Sequence, residues 1–293
     1  MAVLISDIFM EWKQECEQRF NTLKSDEEEL NDCFIKAYGL ENELTSEVDE
    51  KDITIRKADL QRDIKSLISY AVGCIFGRYS VDSEGLCYAG GSWKQELYST
   101  IVPVSDNVMT VGLDVFEINL TSRVIDFVEK VYGIETLEEN LSFIAYALGG
   151  IGEPREILEK YLSSSFFADH CKVYHKKPIY WLFNSGRKSG FKAFVYIHRW
   201  NTQTLNEVMK QIGVLLNHYQ KVNDEFQAKI HVSRPDERIK LTRELAKYTA
   251  KYCELQEYFE RVAVHVKNEP DFDLDDGVKS NYQIYADILE KIK

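Results

Sequence analysis

Paired prolines are missing from this 293-residue chain: its five prolines stand alone at positions 103, 154, 178, 235 and 270. So few prolines, with 29% charged residues, argue against extensive disorder. Paired cysteines are missing too. The six (Cys16, Cys33, Cys74, Cys87, Cys171 and Cys253) form no C-x-x-C element, which excludes a zinc ribbon or a dithiol redox motif. Met1–Ile5 is too short for the apolar core of a secretory signal and runs into Asp7 and Glu11. The longest apolar stretch, around Leu67–Phe76, falls far short of a membrane span. A soluble, cytoplasmic chain with reduced thiols and no membrane partner is therefore expected.

Catalytic signatures are equally scarce. There is no H-E-x-x-H and no glycine-rich loop ending in Gly-Lys-Ser/Thr. Gly150-Ile151-Gly152 follows a helical pattern rather than a strand and reads as a helix stop. His170-Cys171 and His175 lack a second ligand pair at finger-like spacing, so they read as a partly exposed helix end. No catalytic residue and no metal ligand is assigned.

What is present builds a core: 44% of the residues are apolar and 12% aromatic, enough for one large domain or two modest ones. Ile5, Phe9, Trp12 and Cys16 share one helical stripe within 5–38, where Ser25 and Glu28 suggest a capping box that restarts the helix before Gly39 stops it. An acidic linker, Glu41–Asp52, follows. Residues 58–79 carry a wide apolar helical face, with Ser69, Gly73 and Gly77 spaced so that a second backbone could approach. Further helices are expected at 119–132, 136–148 and 154–168. Two three-four apolar patterns, Leu205 to Phe226 and Leu241 to Val266, flank a turn at Ser233–Asp236 and predict an antiparallel, coiled-coil-like helical hairpin. The predicted fold is thus α+β and predominantly α-helical, in three segments. Residues 1–52 form a helical arm and linker, 53–203 a helical domain with a β-hairpin at about 178–199, and 204–293 the helical hairpin with a terminal segment, 271–293.

Between His170 and Trp200 there is no Asp or Glu, although the whole chain has a net charge of −12. Seven Lys and Arg residues alternate there with eight Phe, Tyr and Trp residues, on two β-patterned runs joined by the loop Ser185–Gly190. Cations interleaved with aromatics suit a nucleic-acid backbone and its bases. They equally suit an edge hairpin whose lysines guard against aggregation while its aromatics fill a core. In the first reading Lys176, Lys177, Arg187, Lys188, Lys192 and Arg199 contact phosphates. Strand alternation then puts Lys192, Phe194 and Tyr196 outward and Phe191, Ala193, Val195 and Ile197 inward.

Several segments add a resemblance. Asp63–Ser80 (DIKSLISYAVGCIFGRYS), Gly85–Gly91 (GLCYAGG), Thr136–Gly149 (TLEENLSFIAYALG), Phe167–Ser185 (FADHCKVYHKKPIYWLFNS), Gly190–Arg199 (GFKAFVYIHR) and Leu274–Lys293 resemble, in order, the C-terminal part of the PglX family. These are the adenine-specific DNA methyltransferases of BREX-type bacterial phage defence. The family's Asn-Pro-Pro-Tyr type motif has no counterpart here, because no two prolines adjoin, and its glycine-rich methyl-donor loop is missing as well. The resemblance therefore implies a non-catalytic region that positions DNA or recognises its target. Its implied partners are double-stranded DNA, the methyltransferase catalytic domain and other BREX components, with S-adenosylmethionine bound by the catalytic domain. The alternative is a protein-interaction module that assembles defence components without touching DNA.

Overall fold

The computed structural model describes residues 2–112, 115–268 and 272–292. Pro270 and both ends of the terminal segment, Asp271 and Lys293, lie outside the described residues. Helix α1 (Ile5–Tyr38) is continuous and ends at Gly39, whose φ of 68° suits a left-handed stop. The restart expected at Ser25 does not occur. Glu28 turns away instead, accepting the Val48 amide at 3.2 Å and pairing with Lys24. Within the predicted stripe Ile5 and Cys16 are buried, but Trp12 lies exposed with its indole N–H on Asp63.

Helix α2 (Leu60–Phe76) starts at Asp59, whose side chain accepts the Arg62 amide, and presses Ile64, Ile68, Val72, Ile75 and Phe76 into the core. Its glycines admit aromatic rings rather than a second backbone. A Cβ at Gly73 would sit 2.5 Å from the Tyr79 ring, and one at Gly77 would sit 2.4 Å from the Trp93 ring. The following loop is tied by Asp82, which accepts the Ser99 and Thr100 amides and the Thr100 hydroxyl. Those bonds hold its carboxyl far below the usual range.

Strand β1 (Val108–Thr110) precedes α3 (Leu120–Tyr132), which opens on an Asn119–Ser122 capping box, and α4 (Leu137–Ala147). The helix expected over 154–168 is two: α5 (Pro154–Ser164) and α6 (Phe166–Val173). They break where Ser163, Ser164 and Ser165 follow one another, with the first two hydroxyls bonded back to the Lys160 carbonyl. Strands β2 (Tyr180–Asn184) and β3 (Lys192–Tyr196) form the expected hairpin. The sheet order is β1-β3-β2, antiparallel throughout, so β3 is central.

Helices α7 (Thr204–Val232) and α8 (Pro235–Asn268) run antiparallel along each other, roughly 43 and 51 Å long at 1.5 Å per residue. Their near halves bury Val208, Ile212, Leu215, Leu255, Tyr258 and Val262 against the sheet. Further out, Phe226, Leu241 and Tyr248 are half-buried, because there each helix has only the other to pack on. After α9 (Val278–Ile284) the chain returns to the open edge of β2. There Glu290 donates its amide to Leu182, and Ile288 accepts the Asn184 amide. The whole is predominantly α-helical with one small sheet at its centre. No helix among the described residues is long and apolar enough to cross a membrane.

Candidate nucleic-acid interface

The β-hairpin is apolar on both faces because helices cover both. Phe194 packs on Phe166 and Phe167 of α6, and Tyr196 on Tyr180, while Phe191 meets Tyr258 of α8. Phe194 and Tyr196 are fully buried, so the outward placement expected from strand alternation is wrong. A central strand sandwiched between layers loses the usual polar face.

The six expected phosphate ligands do not form one patch. Lys192 is half-buried and donates its ammonium to the Ser163 carbonyl at 2.8 Å. Arg199 is also drawn inward. Its guanidinium donates to the carbonyls of Val104 (2.7 Å), Phe76 and Ser105, and lies over the Trp93 ring. Burial lowers its pKa, and its hydrogen bonds are spent holding the loop before β1. Lys176 and Lys177 are exposed in the left-handed turn that ends α6, where His175 and Lys176 have φ of 50° and 61°. The length of β2, roughly 17 Å, separates them from Arg187 and Lys188 at the opposite end of the hairpin.

Arg187 and Lys188 are exposed at the tip, on a loop that is firmly held. Across its neck the Ser185 amide donates to the Phe191 carbonyl, and the Phe191 amide donates to the Ser185 hydroxyl, each at 3.0 Å. Glu254 of α8 accepts the Lys188 amide at 2.8 Å and the Ser185 hydroxyl at 3.1 Å. Even a Cβ at Gly186 would come within 2.7 Å of that carboxylate, so the tip needs glycine there. Removing the anchor by Glu254→Ala should release the tip. A charge-assisted bond of about 1.5–3 kcal/mol corresponds to a rise of roughly 10- to 100-fold in amide exchange at Lys188. Unchanged exchange would show that the hairpin holds itself.

Residues that the sequence reading passed over extend this tip. Glu254 shares one stripe of α8 with Lys251, Lys247, Glu244 and Lys240, at three-four spacing, with Arg243 beside it. Between Lys229 and Lys251 there are seven Lys and Arg residues against three acids. Lys247 pairs with Glu244 at 2.7 Å, and Lys251 leans over the Tyr219 and Tyr248 rings. Among the described residues, the side-chain cations of Lys240, Arg243, Arg187 and Lys188 pair with no carboxylate, the Lys188 bond to Glu254 being made by its backbone amide. Charge counting along α8 would have found this stripe; the heptad seam on the same helix drew the reading instead.

His170 is no exposed helix end. It is buried, its Nε2 accepts the amides of Ile179 (3.0 Å) and Tyr180 (3.1 Å), and burial lowers its pKa to about 3. Among the described residues no cluster of three or more His, Cys, Asp or Glu side chains could hold a metal ion.

Comparison with known proteins identifies the class first. The chain is 41% identical over 288 residues to an adenine-specific methyltransferase, PglX, of Lacticaseibacillus casei, covering 94% of this chain and 23% of that protein. It is 38% identical over 280 residues to the adenine-specific methyltransferase BrxX of Escherichia coli O9:H4, covering 90% of this chain and again 23% of the relative. No family model matches. The chain thus matches, over nearly all of its own length, a region of PglX-type adenine-specific methyltransferases, and it spans about a quarter of the length of the curated relatives it matches.

Proposed function

We propose that this region binds duplex DNA and holds it in register for an adenine-N6 methyltransferase of bacterial phage defence, without performing methyl transfer itself. Support comes first from the similarity to PglX and BrxX, whose names state adenine-specific methylation. The observation that carries the reading is the row of cations that starts at Arg187 and Lys188 and runs along α8 through Lys251, Lys247 and Arg243 to Lys240. From Glu254 to Lys240 it extends ~21 Å at 1.5 Å per residue. That matches the rise of about six phosphates along one strand of B-DNA. Backbone contacts of this kind fix register, while groove contacts specify sequence. The methyl donor, S-adenosylmethionine, and the motif that cradles the adenine belong in this reading to the other three quarters of the protein.

The test is charge reversal, Arg187→Glu with Lys188→Glu, in the intact methyltransferase. Affinity should fall alike for all sequences, and the log–log salt slope should shrink by about 1.8 for two phosphates lost. Retained affinity at low salt would shift the reading to a protein-interaction module. The net charge of −12 and the exposed Val232 and Ile239 at the far end of the helical hairpin favour that second reading.

A further inference from the structure

Helix α1 outruns the body it packs on. Its first half is anchored: the Ile5 amide donates to the Asn140 side chain at 2.8 Å, Phe9 meets Phe143, and Phe20 is buried with the Lys57 ammonium over its ring. From Phe20 to Tyr38 the helix continues for a further ~27 Å at 1.5 Å per residue. Over that length, among the described residues, its hydrogen bonds to other segments go to the turn and linker that follow it. The linker folds back along one side, with the Val48 amide on Glu28 and the Asn31 side chain on the Ser46 carbonyl.

Another side is left apolar and bare. The stripe that seats Ile5, Cys16 and Phe20 carries on along the same helix to Leu30, Phe34 and Tyr38. Each of these three is more than half exposed. Single exposed apolar side chains are ordinary on a protein surface. A row at i, i+4 and i+8, two turns long, marks a contact face.

The rim of that face is strongly acidic. Residues 26–52 hold eleven Asp and Glu against Lys36 and Lys51, which accounts for nine of the chain's twelve net negative charges. Both lysines are already paired, with Asp32 and Asp49. At 3.6 residues per turn, the exposed Asp26 and Glu29 lie on the flank opposite Glu28 and Asn31, with the apolar row between.

That charge selects the occupant. Pairing this arm with the same arm of a second copy sets like charge against like, and a nucleic acid or an anionic membrane is repelled in the same way. A helix with apolar residues at three-four spacing and Lys or Arg on its flanks is attracted, and its ridges interlock with those of α1. About three quarters of each curated relative lies outside the matched region, which is ample to supply one.

We infer that the far half of α1 seats a basic amphipathic helix from the part of the methyltransferase outside these 293 residues. Leu30, Phe34 and Tyr38 pack against its apolar side, while Asp26 and Glu29 face its Lys and Arg. The inference rests on reading this chain as one region of a larger methyltransferase, and not on contact with DNA.

Cys33, an exposed thiol next to Phe34, reports whether the arm is covered. Its maleimide labelling, followed by peptide mass spectrometry without DNA, is compared between the 293-residue chain and the intact methyltransferase. Labelling should be slower by roughly 10-fold or more in the intact protein, as expected for a face packed at an interface core. Leu30→Glu with Phe34→Glu, both at exposed positions, should abolish that protection. Asp26→Lys with Glu29→Lys leaves the apolar row whole and sets like charges against the occupant, so protection should fall by roughly 3-fold or more. Each variant is compared with the 293-residue chain carrying the same substitutions, which cancels their effect on the thiol itself. Equal rates for the wild-type chain and intact protein overturn the proposal, as does protection that survives either double variant. Protection of the 293-residue chain alone that grows with its concentration assigns the face to a second copy and overturns it too. Because no DNA is present, failure here is distinct from failure of the DNA reading, which the salt slope tests.

Discussion

Trp181→Ala is expected to destabilise the fold by about 3–5 kcal/mol, the cost of removing a large buried aromatic side chain. The indole is fully buried, and its N–H bonds the Pro178 carbonyl at 3.1 Å. Around it stand Trp200, which follows β3, and Phe272, Tyr282 and Tyr285 from the terminal segment, with ring centroids 5.1–6.1 Å away. One side chain thus joins the hairpin to a segment about a hundred residues later. Urea unfolding should show the midpoint falling with an unchanged slope. A loss under 1 kcal/mol would mean that the terminal segment does not pack on the indole.

Acid should weaken the protein through His170. Its folded pKa is lowered to about 3, while an unfolded histidine titrates near 6.5. Between those values the unfolded chain binds the extra proton, so stability is full above about pH 6.5 and falls as the pH drops towards 3. The slope approaches ~1.4 kcal/mol per pH unit and the limit is ~4–5 kcal/mol. In His170→Gln the amide oxygen can still accept the Ile179 and Tyr180 amides, but nothing titrates. The acid limb of that variant should be shallower by about one proton. Asp82, whose carboxyl is also held low, contributes equally to both proteins and cancels in the difference. Superimposable acid limbs would show that His170 is not buried in its neutral form.

The helices and the hairpin were readable in the sequence because each repeats a local pattern many times. Leu205, Val208, Ile212 and Leu215 announce one face of α7, and Tyr180–Asn184 with Lys192–Tyr196 announce two strands around a glycine turn. Strand β1 was not readable, since three residues carry no periodicity; it exists because Asn107 ties the Tyr196 backbone at both its N–H and C=O. Arg199 misled for a related reason. Composition counts it as a free cation, but the carbonyls that hold it belong to residues 76, 104 and 105. Phe194 and Tyr196 misled because alternation predicts two faces and cannot say that both are covered.

The closing of the β2 edge by Leu289 and Glu290 bears on how the chain folds as it is synthesised. Asn184 and Glu290, which meet there, are 106 residues apart. At roughly 5–20 residues per second, the ribosome needs about 5–20 s to cover that distance. Over that interval the outer edge of β2 lacks the partner that residues 288–290 provide in the folded protein, and an unpaired strand edge is prone to joining other strands. The exposed lysines at 176, 177 and 188 flank that strand, and charge at the ends of an edge strand disfavours edge-to-edge pairing.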